Sequence, residues 1–136
     1  MTSAFSSAGG VKFGPAEHNH IEANRVGISI GHRDTDNLIT ANTIRESKLN
    51  GILFRPEISP DFAGNRNRIL KNIFTDNAAE GGAVIDVQGA TESITISDNL
   101  FTDKREGTRR ISVMRGPDTK EILVEGSRLE GLDAGK

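Results

Sequence analysis

Five side chains of this 136-residue chain combine types suited to binding an anion and moving a proton: His32, Arg55, Asp86, Gln88 and Arg115. They follow short runs in which apolar residues alternate, Ile28 and Ile30, Ile52 and Phe54, Ile85 and Val87, Ile111 and Val113. If those apolar residues point inward, the intervening positions point outward, because successive side chains of a strand face opposite ways. Two outward columns result: Ser29, Leu53, Asp86, Ser112, and Gly31, Arg55, Gln88, Met114, with His32 and Arg115 just past the strand ends. A guanidinium grips a carboxylate through two parallel hydrogen bonds, and an imidazole or carboxylate within reach of a substrate proton removes it. Arg55, Arg115 and Gln88 are therefore candidate binding residues, and His32 and Asp86 candidate bases. The competing reading is a solvated face, since 26% of all residues are charged.

For such columns to exist, the chain must bring its short runs together. A second pattern, Ile or Val, two residues, Asn or Ser, one residue, then an apolar residue, recurs five times: Ile21, Asn24, Val26; Ile39, Asn42, Ile44; Ile69, Asn72, Phe74; Ile96, Asn99, Phe101; Val124, Ser127, Leu129. It alternates with the first kind of run, beginning with Val11 and Phe13. Both have period-2 apolar spacing and many β-branched residues, so both read as strands. Each is too short to stand alone, but stacked on its equivalents it buries a continuous aliphatic column. The copies are unevenly spaced, so loops absorb the variation. Asn tolerates the left-handed corner that a chain turning between sheets needs, and its amide can bond the amide of the next coil. Asn24, Asn42, Asn72 and Asn99 are thus expected to form an internal ladder. The expected fold is all-β, a right-handed parallel β-helix of about five coils.

These motifs, as in Asn37-Leu-Ile-Thr-Ala-Asn-Thr-Ile44 and Ser93-Ile-Thr-Ile-Ser-Asp-Asn-Leu-Phe101, resemble the right-handed parallel β-helix superfamily of pectate lyases, polygalacturonases, alginate-acting enzymes and phage tailspikes. A leucine-rich repeat has a similar Asn-centred core but keeps one strand per repeat of roughly 20 to 29 residues. The resemblance covers residues 11–132, leaving 1–10 as a disordered or extended segment and 133–136 as a tail. It implies a carbohydrate-associated domain, of a polyuronate lyase or epimerase kind, with a polysaccharide or oligosaccharide as partner. A non-catalytic structural or assembly module is the alternative. Of the polygalacturonase-like site motifs, the chain offers only Gly31-His32-Arg33 and the altered Asp34-Thr-Asp36. The calcium-dependent lyases imply clustered carboxylates, for which Asp34, Asp36, Asp76, Glu80 and Asp86 are the candidates; calcium takes six to eight oxygens.

Composition narrows the partners. Seventeen basic and 19 acidic residues give a net charge of −2, so no whole-molecule field draws phosphate, lipid or polyuronate. Six Phe without Trp or Tyr leave few rings for stacking bases. The basic clusters Arg66, Arg68, Lys71 and Lys104, Arg105, Arg109, Arg110 are interleaved with polar residues and read as loop charges rather than nucleic-acid contacts. Zero Cys removes disulfides and leaves the compartment open. No apolar stretch is long enough to span a membrane, and Met1 to Gly10 lacks the features of a secretory leader. Two connections are longer, Arg55 to Asn67 with Pro56 and Pro60, and Thr75 to Gly82; the resemblance to the β-helix enzymes implies that they wall a groove beside one sheet. No capping helix is evident, so exposed terminal strands predict a homo-oligomer or a place within a longer solenoid.

Overall fold

The computed structural model describes residues 3–6, 15–31, 33–80, 82–106 and 109–134, with only the backbone of 3–6 and 15. Fifteen strands and no helix occur among them. They form three parallel five-stranded sheets. The first holds β1 (Ser3–Ser6), β4 (Val26–Ile30), β7 (Asn50–Phe54), β10 (Ala83–Val87) and β13 (Ile111–Arg115). The second holds β2 (Pro15–Glu17), β5 (Leu38–Thr40), β8 (Arg68–Leu70), β11 (Glu92–Ser97) and β14 (Lys120–Glu125). The third holds β3 (His20–Glu22), β6 (Thr43–Arg45), β9 (Ile73–Thr75), β12 (Leu100–Thr102) and β15 (Arg128–Glu130). Four full windings separate β1 from β13, and β14 and β15 extend a fifth, slightly fewer coils than expected.

The core is a set of vertical columns. Ile28, Ile52, Ile85 and Val113 are successive partners in the first sheet, Ile39, Ile69, Ile96 and Val124 in the second, and Ile21, Ile44, Phe74, Phe101 and Leu129 in the third. Ile44, Ile52, Ile69, Ile85, Ile96 and Phe101 are fully buried, and Phe74 and Phe101 stack 4.8 Å apart with rings 8° from parallel. Each fully buried aliphatic or aromatic side chain contributes about 1.5–3 kcal/mol, so the stack is held by repetition of modest contributions. Outward columns are mixed: Glu17, Thr40, Leu70, Ser97, Glu125 in the second sheet and Glu22, Arg45, Thr75, Thr102, Glu130 in the third.

The Asn-centred pattern is not one strand but two, meeting at a corner between the second and third sheets. There Asn19, Asn42, Asn72, Asn99 and Ser127 lie over one another at intervals of 23, 30, 27 and 28 residues. The Asn72 Oδ1 accepts from the Asn42 backbone N–H at 2.9 Å and from its Nδ2 at 3.0 Å. The Asn72 Nδ2 in turn donates to Asn99 Oδ1 at 3.1 Å and to the Ile39 carbonyl at 3.0 Å. Asn42 bonds Asn19 in the same way, through Oδ1 accepting from Asn19 N and Nδ2, both at 3.0 Å.

Two expectations need correction here. Asn24 is not in this ladder: its place is taken by Asn19, and Asn24 sits at the other corner, after β3, where its Nδ2 donates to the Glu22 carbonyl. Nor does the Asn occupy the left-handed region. The residue before it does, in every winding: His18, Ala41, Lys71 and Asp98 at φ 56–57°, and Gly126 at φ 66°. The amide side chain acts as a clamp on the turn rather than as the turn itself. A third shift concerns the start of the first sheet, whose outermost strand is Ser3–Ser6, paired with β4; Val11 and Phe13 lie outside the described residues.

Candidate functional site

The first sheet carries the polar side chains singled out from sequence. Its register makes Ser29, Leu53, Asp86 and Met114 one outward column, and β7 and β10 run directly into Arg55 and Gln88 at neighbouring positions of the next. Adjacent strands lie about 4.8 Å apart, which sets the spacing between those two side chains' anchor points. Gln88 Nε2 donates to Asp86 Oδ1 at 2.6 Å, fixing the carboxylate on the outer face. Arg55 reaches back one winding, with Nη1 donating to Ser29 Oγ at 2.6 Å and Nη2 lying 3.8 Å from Asp34 Oδ2. Asp34 is buried and its Oδ2 also accepts from the Gly31 N–H at 3.1 Å. Arg55 thus binds two windings together and still exposes about a quarter of its side chain (27%).

Two candidates are placed differently. In β13, Val113 pairs with Ile85 and Arg115 with Val87, two residues out of step with the expected alignment. Met114, not Ser112, therefore extends the Asp86 column, and Arg115 stands in the inward column of the last winding. No further strand covers it among the described residues, so it stays exposed and its Nη1 donates to the Ile122 carbonyl at 3.1 Å. It does not join Arg55. His32 lies outside the described residues.

The Arg55 to Asn67 connection rises from this face. Its return leg is buried at Ala63, Gly64, Asn65 and Asn67, while Ile58 at the tip is fully exposed. Gly89, at φ 65°, allows the outgoing leg to settle on the next winding: a Cβ there would stand 2.5 Å from the Glu57 carbonyl oxygen, and Ala90 N donates to that oxygen at 2.8 Å. Between the loop and the turn after β4 lies a cleft of about 310 Å³ lined by Arg33, Thr35, Pro60, Asp61, Asn65 and Arg66. It was not legible from sequence; its only signals were the Pro-rich loop and the position of Arg66 within a basic cluster.

The remaining charges serve mainly to hold loops. Arg66 donates from Nε and Nη2 to both oxygens of Asp36, at 2.9 and 3.1 Å, and that hydrogen-bonded carboxylate raises the guanidinium pKa. Arg105 binds both Asp103 oxygens and the Asn77 carbonyl, and Arg110 donates to the carbonyls of Ala78 and Ala79. Burial opposes ionisation of Asp103, but hydrogen bonds from the Arg105 side chain and backbone outweigh it and hold the carboxyl below its usual range. Arg109 pairs with Asp133 at 2.9 Å. Among the described residues, no three His, Asp or Glu side chains come together, and Asp34, Asp36, Asp76, Glu80 and Asp86 do not form one group. No helix among them is long and apolar enough to cross a membrane.

Residues 7–120 match the family described as the right handed beta helix region. The chain belongs to the right-handed β-helix family. Comparison with curated proteins and with solved structures finds no match. The match takes in twelve of the fifteen strands whole, together with Arg55, Asp86, Gln88 and the entire cleft, so the candidate face belongs to the β-helix itself. As a β-helix face, it offers a cation in one winding, Arg55, and an amide with an oriented carboxylate, Gln88 and Asp86, in the next.

Proposed function

We propose that this chain is a carbohydrate-binding β-helix domain whose first sheet holds an acidic polysaccharide along its outer face. The observation that carries the reading is the alignment of Arg55 with Gln88, and of Gln88 with Asp86, on one outward-facing strip beside the Pro-rich loop. Arg55 supplies the charge for a sugar carboxylate, and Gln88 and Asp86 supply donors and an acceptor for hydroxyls. A lyase or epimerase would further require a base poised over the sugar. Asp86, tied to Gln88, is the carboxylate on this strip that would serve.

The test is isothermal titration against polyuronates and neutral polysaccharides of matched length, with wild type and an Asp86→Asn/Gln88→Ala double variant. Saturable binding of a polyuronate, weakened at least about five-fold in the double variant, supports the reading, since two lost hydrogen bonds are worth about 1–3 kcal/mol together. Absence of binding to every acidic polymer overturns it. Unsaturated product from the same mixtures would establish lyase chemistry.

One observation favours assembly as a second role. Ile122, Val124 and Leu129 in the outermost strands β14 and β15 are only partly buried, and Leu123 is half exposed. Such a surface is covered when two copies meet. Light scattering on the same samples reads this role directly.

A further inference from the structure

The cleft between the Pro-rich loop and the turn after β4 holds groups that neither the solenoid nor the outer face uses. Arg33 enters it from a left-handed turn at φ 68°, and its guanidinium lies 4.5 Å from the centre of the Phe62 ring. No carboxylate among the described residues pairs with it. On the other wall, Asp61 is equally without an ion pair among the described residues. Arg66 spends Nε and Nη2 on Asp36, leaving Nη1. Thr35 is buried to within 6% of its surface, and its Oγ1 has no hydrogen-bond partner. Asn65 is held in place, with Nδ2 donating to the Pro60 carbonyl and Oδ1 accepting from Glu92 N–H.

We propose that this cleft binds a single sugar residue carrying an acidic group, whose anionic oxygens meet Arg33 and Arg66 and whose hydroxyls meet Asp61 and Thr35. The proposal rests on the carbohydrate reading and adds to it a corner site, off the outer strip and joined to it through Asp34, which Arg55 approaches at 3.8 Å. Three features select this ligand class. The volume of about 310 Å³ is at the low end for small-molecule sites, roughly 300 to 1,000 Å³, and suits one ring rather than a chain. The lining is polar apart from Pro60, which disfavours an acyl or aromatic ligand. Asp61 and the neighbouring Asp36 oppose a bare inorganic anion, whereas a ligand that also brings hydroxyl donors turns the Asp61 carboxylate into a partner. A buried hydroxyl left without a partner, as at Thr35, is a group that a bound ligand completes.

The experiment is an NMR titration of the ¹⁵N-labelled protein with D-glucuronate, glucose 6-sulfate, D-glucose and inorganic phosphate. The first two probes separate carboxylate from sulfate as the preferred acidic group. Expected are saturable shifts at Arg33, Thr35, Asp61 and Asn65 with at least one acidic sugar, and at least ten-fold weaker binding of glucose and phosphate. Arg33→Ala should weaken acidic-sugar binding at least ten-fold. Thr35→Val should weaken it several-fold without lowering the unfolding midpoint, because it removes a hydroxyl that has no protein partner. Absence of saturable shifts, unchanged affinity in Arg33→Ala, or phosphate or glucose binding as well as the acidic sugars each overturns the proposal. The Asp86→Asn/Gln88→Ala variant should bind the acidic monosaccharide like wild type. Monosaccharide binding without polymer binding would therefore defeat the outer-strip reading alone, and the reverse would defeat the cleft alone.

Discussion

Replacing Asn72 by Ala tests the clamp at the corner between the second and third sheets. The side chain is 1% exposed and makes four hydrogen bonds, two as donor and two as acceptor. Alanine leaves the Asn42 backbone N–H and one Asn42 amide hydrogen without an acceptor, and withdraws a donor from the Ile39 carbonyl. A buried donor left unpaired costs about 1–3 kcal/mol, so the two orphaned donors predict a loss of about 2–6 kcal/mol. Domains of ordinary stability have about 5–15 kcal/mol in total, so the variant should be visibly weakened and, at the upper end, partly unfolded at rest. Asn24→Ala is the matched control: Asn24 is also buried, at 8% exposure, but its side chain makes one hydrogen bond, to the Glu22 carbonyl. Its loss should cost about 0.5–1.5 kcal/mol. Urea unfolding of the three proteins, extrapolated to water, decides the matter. An Asn72→Ala cost below about 1 kcal/mol, or equal costs at the two sites, would refute the assignment of the corner to its amide stack.

Lys71, exposed at φ 56°, should gain from substitution by Gly: left-handed strain of about 1–2 kcal/mol is relieved against a backbone-entropy cost of about 0.5–1 kcal/mol. A urea midpoint raised by the equivalent of up to about 1 kcal/mol is expected. Asp103 has its pKa lowered in the fold, so its contribution is present above the unfolded value of about 3.9 and is lost as pH falls from there through the folded value. Asp103→Asn should therefore be less stable than wild type at pH 7 and show a flatter decline of stability below about pH 4, as measured by urea titration across pH.

Much of the solenoid was legible because its aliphatic columns repeat every winding: Ile39, Ile69 and Ile96 announce one another in spacing and type, and the stack enforces that agreement. The misreadings fall where the enforcement weakens. Ile21-x-x-Asn24 has the same spacing as Ile39-x-x-Asn42, but the true counterpart begins at Ala16, in β2 near one end of the stack, where a smaller side chain suffices. Arg115 occupies an inward position because it belongs to the last winding, so the alternation of apolar and polar residues no longer reports facing. The left-handed corners were assigned to Asn on conformational preference, yet the structure puts Ala41, Lys71 and Asp98 there, because bonds from the neighbouring amide stabilise a turn that these residues disfavour on their own. The cleft depends on how two loops of different windings approach, and no local pattern encodes that.

The outward columns that begin at Glu17 and Glu22 end at Glu125 and Glu130. A second molecule continuing the same register beneath the last winding would set its Glu17 against Glu125 and its Glu22 against Glu130. Like charges directly opposed on neighbouring strands destabilise their pairing. Copies stacked in that register would therefore repel one another at both positions, whereas copies meeting through the aliphatic surface of β14 and β15 in another orientation, as a closed pair, would avoid that opposition.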